Sequence, residues 1–173
     1  MVCRPHWFER LGAEDCPSMS TKASTGPQRE RPSVQREAPK LSAAMVALEQ
    51  EIELDPVVRE LVKLRASILN GCAYCIDMHT KRARKAGESE QRLYALAAWR
   101  DAPFFTERER AALALTDAVT FIAERQKPDE VYEEAARHFD SEELTHLIWQ
   151  IATINVWNRV AIATRTPVGT YQP

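Results

Sequence analysis

From Leu41 to Val168 the chain repeats one pattern: apolar residues recur at three- and four-residue spacings, separated by helix caps, with almost no strand-like alternation. Of five glycines in the chain, only Gly71 and Gly87 interrupt this stretch before its last few residues. Such a pattern can bury its apolar stripes only by packing helix on helix. The punctuation is specific. Asp55-Pro56 supplies an N-cap and a first-turn proline before VVRELVKLRASIL. Gly71 breaks the chain, and a second helix is expected from about Cys72 to Ala86, stopped by Gly87. Ser89 caps a short helix through Trp99, and Thr106 with Glu109 forms a capping box that opens a longer one to about Glu124. Leu115, Ala118, Val119 and Ile122 share one face of that helix. Pro128 starts a further helix through His138, and Ser141 caps the last and longest, ending near Thr164. Its second half, INVWNRVAIA, is apolar almost all round, which predicts burial in the core or in a subunit contact. The expected fold is an all-α bundle of six or seven helices without internal repeats.

Residues 1–40 have a different character. The stretch STKASTGPQRERPSVQREAPK has the composition of a disordered segment, so the expected organisation is an extension over 1–40 and a folded domain over 41–168. Met19-Ser20-Thr21 also reads as an alternative start, which would leave residues 1–18 outside the natural protein. The amino terminus has no continuous apolar segment, so it does not read as a secretory signal, and Glu9, Glu14 and Asp15 argue against a mitochondrial presequence. No apolar run approaches the roughly 18 residues of a membrane span. With 23 basic and 25 acidic residues, interspersed, the chain offers nothing to nucleic acid or an anionic membrane. The expected compartment is the cytoplasm, where structural disulfides are uncommon. Four cysteines therefore need a reason. Cys3 and Cys16 lie in the extension, whereas Cys72 and Cys75 stand three apart on a helix.

Projected on that helix, Cys72, Cys75, Ile76, His79, Ala83 and Ala86 fall within an arc of roughly 100°. Tyr74, Asp77, Lys81, Arg84 and Lys85 take the other side. Both thiols and one imidazole thus share an apolar, inward stripe. A free thiol ionises near about 8.5, and only the thiolate attacks. A helix amino terminus favours the thiolate through its unpaired N–H groups, so helix position alone points to Cys72 as the more reactive thiol. His79, one turn beyond Cys75, is placed to take a proton from Cys75. After a thiolate attacks an O–O bond, the resulting sulfenic acid is converted to a disulfide by a second thiol. On the preceding helix, Glu60 sits at the border of the apolar stripe, away from a face made by Arg59, Lys63 and Ala66. It is either a helix-packing ion-pair partner or an oriented acid/base group, and periodicity leaves both open.

The same residues admit other readings. Cys72, Cys75 and His79 could supply three zinc ligands, but the fourth would have to come from the isolated Cys3, Cys16, His138 or His146, and there is no second cysteine pair. A thioredoxin arrangement needs a strand before the motif, and none is present. Idle core residues, or a disulfide-switched sensor without turnover, are the remaining alternatives.

The segment ELVKLRASILNGCAYC, followed by IDMHTKRARKAGES, resembles the AhpD-like branch of the carboxymuconolactone decarboxylase family. The resemblance extends over about 55 to 165, through AWRDAPFFTERERAALALTDAV and the late INVWNRVAIAT. It implies an AhpD-like all-α fold, homo-oligomers (trimers or hexamers) and no bound cofactor. It also implies a peroxidase that reduces organic hydroperoxides, with Cys75 attacking, Cys72 resolving, and His79 and Glu60 as a proton relay. The implied partners are a hydroperoxide and a dithiol reductant of dihydrolipoyl type. One position departs from the pattern: the best-characterised peroxidases carry a further histidine before the second cysteine, where this chain has Tyr74. The decarboxylase branch does not depend on a cysteine pair, so the thiols argue against lactone decarboxylation.

Overall fold

A computed structural model describes residues 30–124 and 129–173; positions 1–29, with Cys3 and Cys16, and 125–128, with Pro128, lie outside the described residues. Eight α-helices and one 3-10 turn follow one another, with no strand among the described residues: α1 Val34–Glu37, α2 Pro39–Gln50, α3 Pro56–Asn70, α4 Ala73–Lys85, α5 Glu90–Ala95 running into the 3-10 turn Leu96–Ala98, α6 Glu107–Thr120, α7 Asp129–Ala136 and α8 Ser141–Thr164. Helical structure starts at Val34, seven residues before the boundary expected at Leu41. No helix among the described residues is long and apolar enough to cross a membrane.

Most caps sit where the sequence puts them. The Asp55 carboxylate accepts the N–H groups of Val57 and Val58 ahead of Pro56. Gly71 ends α3 in the left-handed region at φ 68°, and the Cys72 N–H closes back onto the Ser67 carbonyl at 3.0 Å. Thr106 and Glu109 form the reciprocal capping box of α6. Two expectations need correction. The cap of α8 is Asp140, not Ser141; its carboxylate accepts the Glu143 N–H, and Glu143 answers with a second capping box. Helix α6 stops at Thr120, so Ile122 lies beyond it and is exposed rather than part of the buried face.

Helix α3 runs through the middle, with α4, α6 and α8 packed around it. Every residue from Leu61 to Ser67 is buried, including Lys63 and Ala66, so the polar face expected there does not exist. A central helix can carry such charges only with partners. Lys63 Nζ meets Glu49 of α2 at 3.1 Å, and Arg65 clamps Asp117 of α6 through two nitrogens, at 2.7 and 3.1 Å. Apolar contacts fill both flanks of α3. Val58 and Val62 pack with Leu115, Leu147 and Ile151 on one side, and Leu61 and Leu64 with Leu96, Trp99 and Leu113 on the other. The turn at Gly71 folds α4 back along α3 and so brings the two candidate stripes face to face.

Candidate active site

Cys72 is not the first residue of α4 but its N-cap, in extended conformation, and its sulfur accepts the Cys75 N–H at 3.4 Å. A thiol here takes the place usually filled by a serine or aspartate oxygen. The two cysteines are unpaired and buried, each with 1% exposure, and His79 is buried at 2%. Ala83 shares this inward stripe, but Ala86 does not: it lies at the helix end and is exposed. His79 Nδ1 donates to Glu60 Oε2 at 2.8 Å, across the α3–α4 contact. Of the two readings open for Glu60, the geometry is that of a carboxylate oriented on an imidazole.

The electrostatics of the two sulfurs diverge. The Cys72 thiol is brought down to about 7, first by its hydrogen bond with the Cys75 thiol; burial opposes this, and the Cys75 N–H, the Asn158 amide and the Tyr74 N–H add to it. Cys75 is pushed up, because its thiol donates to Cys72, because it is buried, and because a Cys72 thiolate stands beside it. Above about 7 the reduced pair thus holds one proton, on Cys75, and below it two. Burial lowers the His79 ring more strongly than Glu60 raises it, so the imidazole is neutral. For Glu60, burial acts upward, but the His79 hydrogen bond and the nearby positive groups, Lys63 and Arg82 among them, outweigh it and keep the carboxylate ionised. With Nδ1–H committed to Glu60, His79 Nε2 is the unprotonated nitrogen.

Cys75 and His79 line one cavity of about 220 Å³, together with Tyr74, Met78 and Arg82 of α4, Val46 and Glu49 of α2, Trp157 and Val160 of α8, and Val34 and Gln35 of α1. Cys72 does not line it. A second cavity, of about 300 Å³, lies on the other side of Glu60 between Pro56, Leu64, Gly87 and Arg92. Glu60 therefore faces one cavity while its imidazole partner faces the other.

Asn158 is a site residue that sequence reading missed. It is fully buried on α8, donates to Ser67 Oγ at 3.0 Å, accepts from Asn70 Nδ2 at 2.9 Å, and acts on both thiols. Two asparagines, Asn155 and Asn158, in a helical run that is apolar apart from them and Arg159 were the available signal. The isolated histidines are elsewhere: His146 Nδ1 accepts the Glu53 N–H, and His138 pairs with Glu134. Among the described residues no group of three or more His, Cys, Asp or Glu side chains is arranged to hold a metal ion.

The model of the carboxymuconolactone decarboxylase family matches residues 34–118, which include all four candidate site residues. The uncharacterized protein YdfG of Bacillus subtilis (strain 168) is 43% identical over 127 residues, covering 73% of this chain and 86% of that protein. Among solved structures, a protein of unknown function from Agrobacterium tumefaciens, with the antioxidant defence protein AhpD as its suggested identity, is 40% identical. It superposes with a TM-score of 0.79 over 83% of this chain and 100% of its own. The debrominase Bmp8 in complex with tribromopyrrole shares the fold at 21% identity, with a TM-score of 0.67 over 79% of this chain and 74% of that one. One fold thus carries more than one chemistry. The chain belongs to the carboxymuconolactone decarboxylase family, in its AhpD-like branch.

Proposed function

We propose that this protein is a thiol-dependent peroxidase that reduces organic hydroperoxides. The observation that carries the reading is the shared cavity: a thiol and a neutral imidazole line it together, the imidazole is anchored on a carboxylate, and a second thiol stands against the first from behind. Its membership of a branch whose relatives include a suggested antioxidant defence protein points the same way.

In this reading His79 takes the proton of Cys75, and the imidazolium is stabilised by the Glu60 carboxylate. The Cys75 thiolate attacks the terminal oxygen of ROOH; the S–O bond forms as the O–O bond breaks, giving the Cys75 sulfenic acid and RO⁻. His79 returns its proton to RO⁻, which leaves as ROH. The Cys72 thiolate then attacks the Cys75 sulfur and expels hydroxide, which takes a solvent proton to become water. An external dithiol reduces the disulfide and is itself oxidised to a disulfide. The two sulfurs suit these parts differently: Cys72, brought down to about 7, is available as thiolate for resolution, whereas Cys75 is the thiol that a peroxide in the cavity can reach and, being pushed up, needs a base to remove its proton. Glu60, at the wall of the second cavity, gives the relay an exit to solvent away from the substrate.

The test is peroxide consumption by the full chain supplied with dithiothreitol or dihydrolipoamide. Many equivalents consumed per chain, with loss of dithiol in equal amount, is the expected result. Consumption that stops after one equivalent in the presence of dithiol would make the site a sensor and not an enzyme.

A further inference from the structure

The cavity that holds Cys75 also has a charged end. Arg82 stands two turns beyond Cys75 on α4, nearly in line with it and roughly 10 Å along the axis. The arginine is much the longer side chain, and the lean of helical side chains toward the amino terminus carries its length toward Cys75. The lining they share includes the apolar Val46, Met78, Trp157 and Val160, beside the polar His79 and Glu49. Arg82 has no carboxylate partner among the described residues. The two acids near it are committed elsewhere, Glu49 to Lys63 at 3.1 Å and Glu60 to His79 at 2.8 Å. What holds the guanidinium is Tyr171: Arg82 Nε donates to the phenolic oxygen at 2.7 Å, and the guanidinium lies over the ring, 5.4 Å from its centre. Lys81 Nζ fixes the same residue through its carbonyl at 3.0 Å. Among the described residues no hydrogen bond engages the two Nη groups of Arg82, the fork that grips carboxylates, which leaves them to serve a ligand.

We propose that Arg82 is the carboxylate-binding residue of this cavity, and that the substrate class is a hydroperoxide of a medium-chain carboxylic acid, with its carboxylate on Arg82, its chain along the apolar walls and its O–O bond at Cys75. One guanidinium matches one negative charge, and Glu49 and Glu60 close by disfavour a doubly charged phosphate. Tyr171 is a positioning residue: it touches the guanidinium and not the ligand. The proposal rests on the peroxidase reading, and its test separates the two.

With dithiothreitol as an uncharged reductant, kcat/KM is measured for a hydroperoxyoctanoate and for its methyl ester. The acid should be preferred by about tenfold or more, the scale of a charge-assisted bidentate contact. Arg82→Met should bring the acid-to-ester ratio close to unity, Arg82→Lys should keep part of it, and Tyr171→Phe should lower it through KM with little change in kcat. A ratio near unity in the natural chain, or a preference that survives Arg82→Met, overturns the proposal. So does a carboxylate preference found only on the dithiol side, when dihydrolipoate is compared with dihydrolipoamide. If neither peroxide is turned over, the peroxidase reading fails, and alkylation of Cys75 decides on Arg82 alone. A rate ratio of iodoacetate to iodoacetamide that falls several-fold in Arg82→Met supports the anion site, and an unchanged ratio removes it.

Discussion

At Cys72 the sulfur sits where a helix normally finds the oxygen of a serine or aspartate, and the N–H groups that would satisfy that oxygen act on the sulfur instead. The thiolate is present above about 7 and is lost as pH falls through that value. In the reduced protein, where the Cys75 thiol supports that thiolate, its ultraviolet absorbance should therefore fall as pH drops through neutrality, level off above, and vanish in Cys72→Ser; an absorbance flat across that range contradicts the assignment. Cys75→Ser should abolish peroxide consumption, first turnover included. Cys72→Ser should leave one reaction per chain and a trappable sulfenic acid on Cys75. Mass spectrometry that finds the sulfenic acid on Cys72 in the Cys75→Ser protein, and none in the reverse variant, would invert the roles. His79→Ala should slow the first oxidation on the order of a hundredfold or more, the usual weight of a positioned base. Glu60→Gln should cost less, because an amide oxygen can still accept from Nδ1 but no longer balances the imidazolium charge.

Between α3 and α4 the whole connection is Gly71 and Cys72, so the glycine also sets the sulfur. At φ 68° an added Cβ would meet nothing within 4 Å, and the cost of Gly71→Ala is conformational alone. It should be roughly 1 kcal/mol, and less for Asn, which tolerates the left-handed region; the midpoint of urea unfolding measures both. This turn was legible in the sequence because its cause is local: the glycine, the preceding apolar period and the cap lie within a few residues. The triad Cys72, Cys75 and His79 was legible for the same reason, since one helix carries it. What local pattern could not show is which helix occupies the centre. Lys63 reads as a surface residue until Glu49 of another helix is found against it. Asn158 likewise became part of the site only through a contact between α4 and α8 that no periodicity encodes. Asp140 and Ser141 are both good caps in adjacent positions, and only the Glu143 N–H chooses between them.

The extension and the outer face of α8 bear on the molecule as a whole. Val34 and Gln35 line the thiol cavity, so an amino-terminal truncation has a sharp functional limit. Removing residues 1–29 should leave the melting temperature and peroxide consumption nearly unchanged, whereas a cut at 38 should impair turnover by opening the cavity wall. On α8 one side enters the core through Leu147, Ile151 and Ile154, but the other leaves Trp149 at 51% and Val156 at 43% exposure in the single chain. Trp149, Ala152, Val156 and Ala163 fall on nearly one line of the helix, an apolar seam with Arg159 at its edge. A large apolar side chain gains about 1.5–3 kcal/mol on full burial, so Trp149 and Val156 on one seam favour self-association. We propose that this seam is a subunit contact, with a trimer or hexamer as the expected closed form. Sedimentation at micromolar concentration should then show no appreciable monomer. Trp149→Glu, which places a charge at the largest side chain of the seam without touching the core side of α8, should shift the protein to smaller species. A natural chain that sediments as a clean monomer would leave the seam without the role assigned to it.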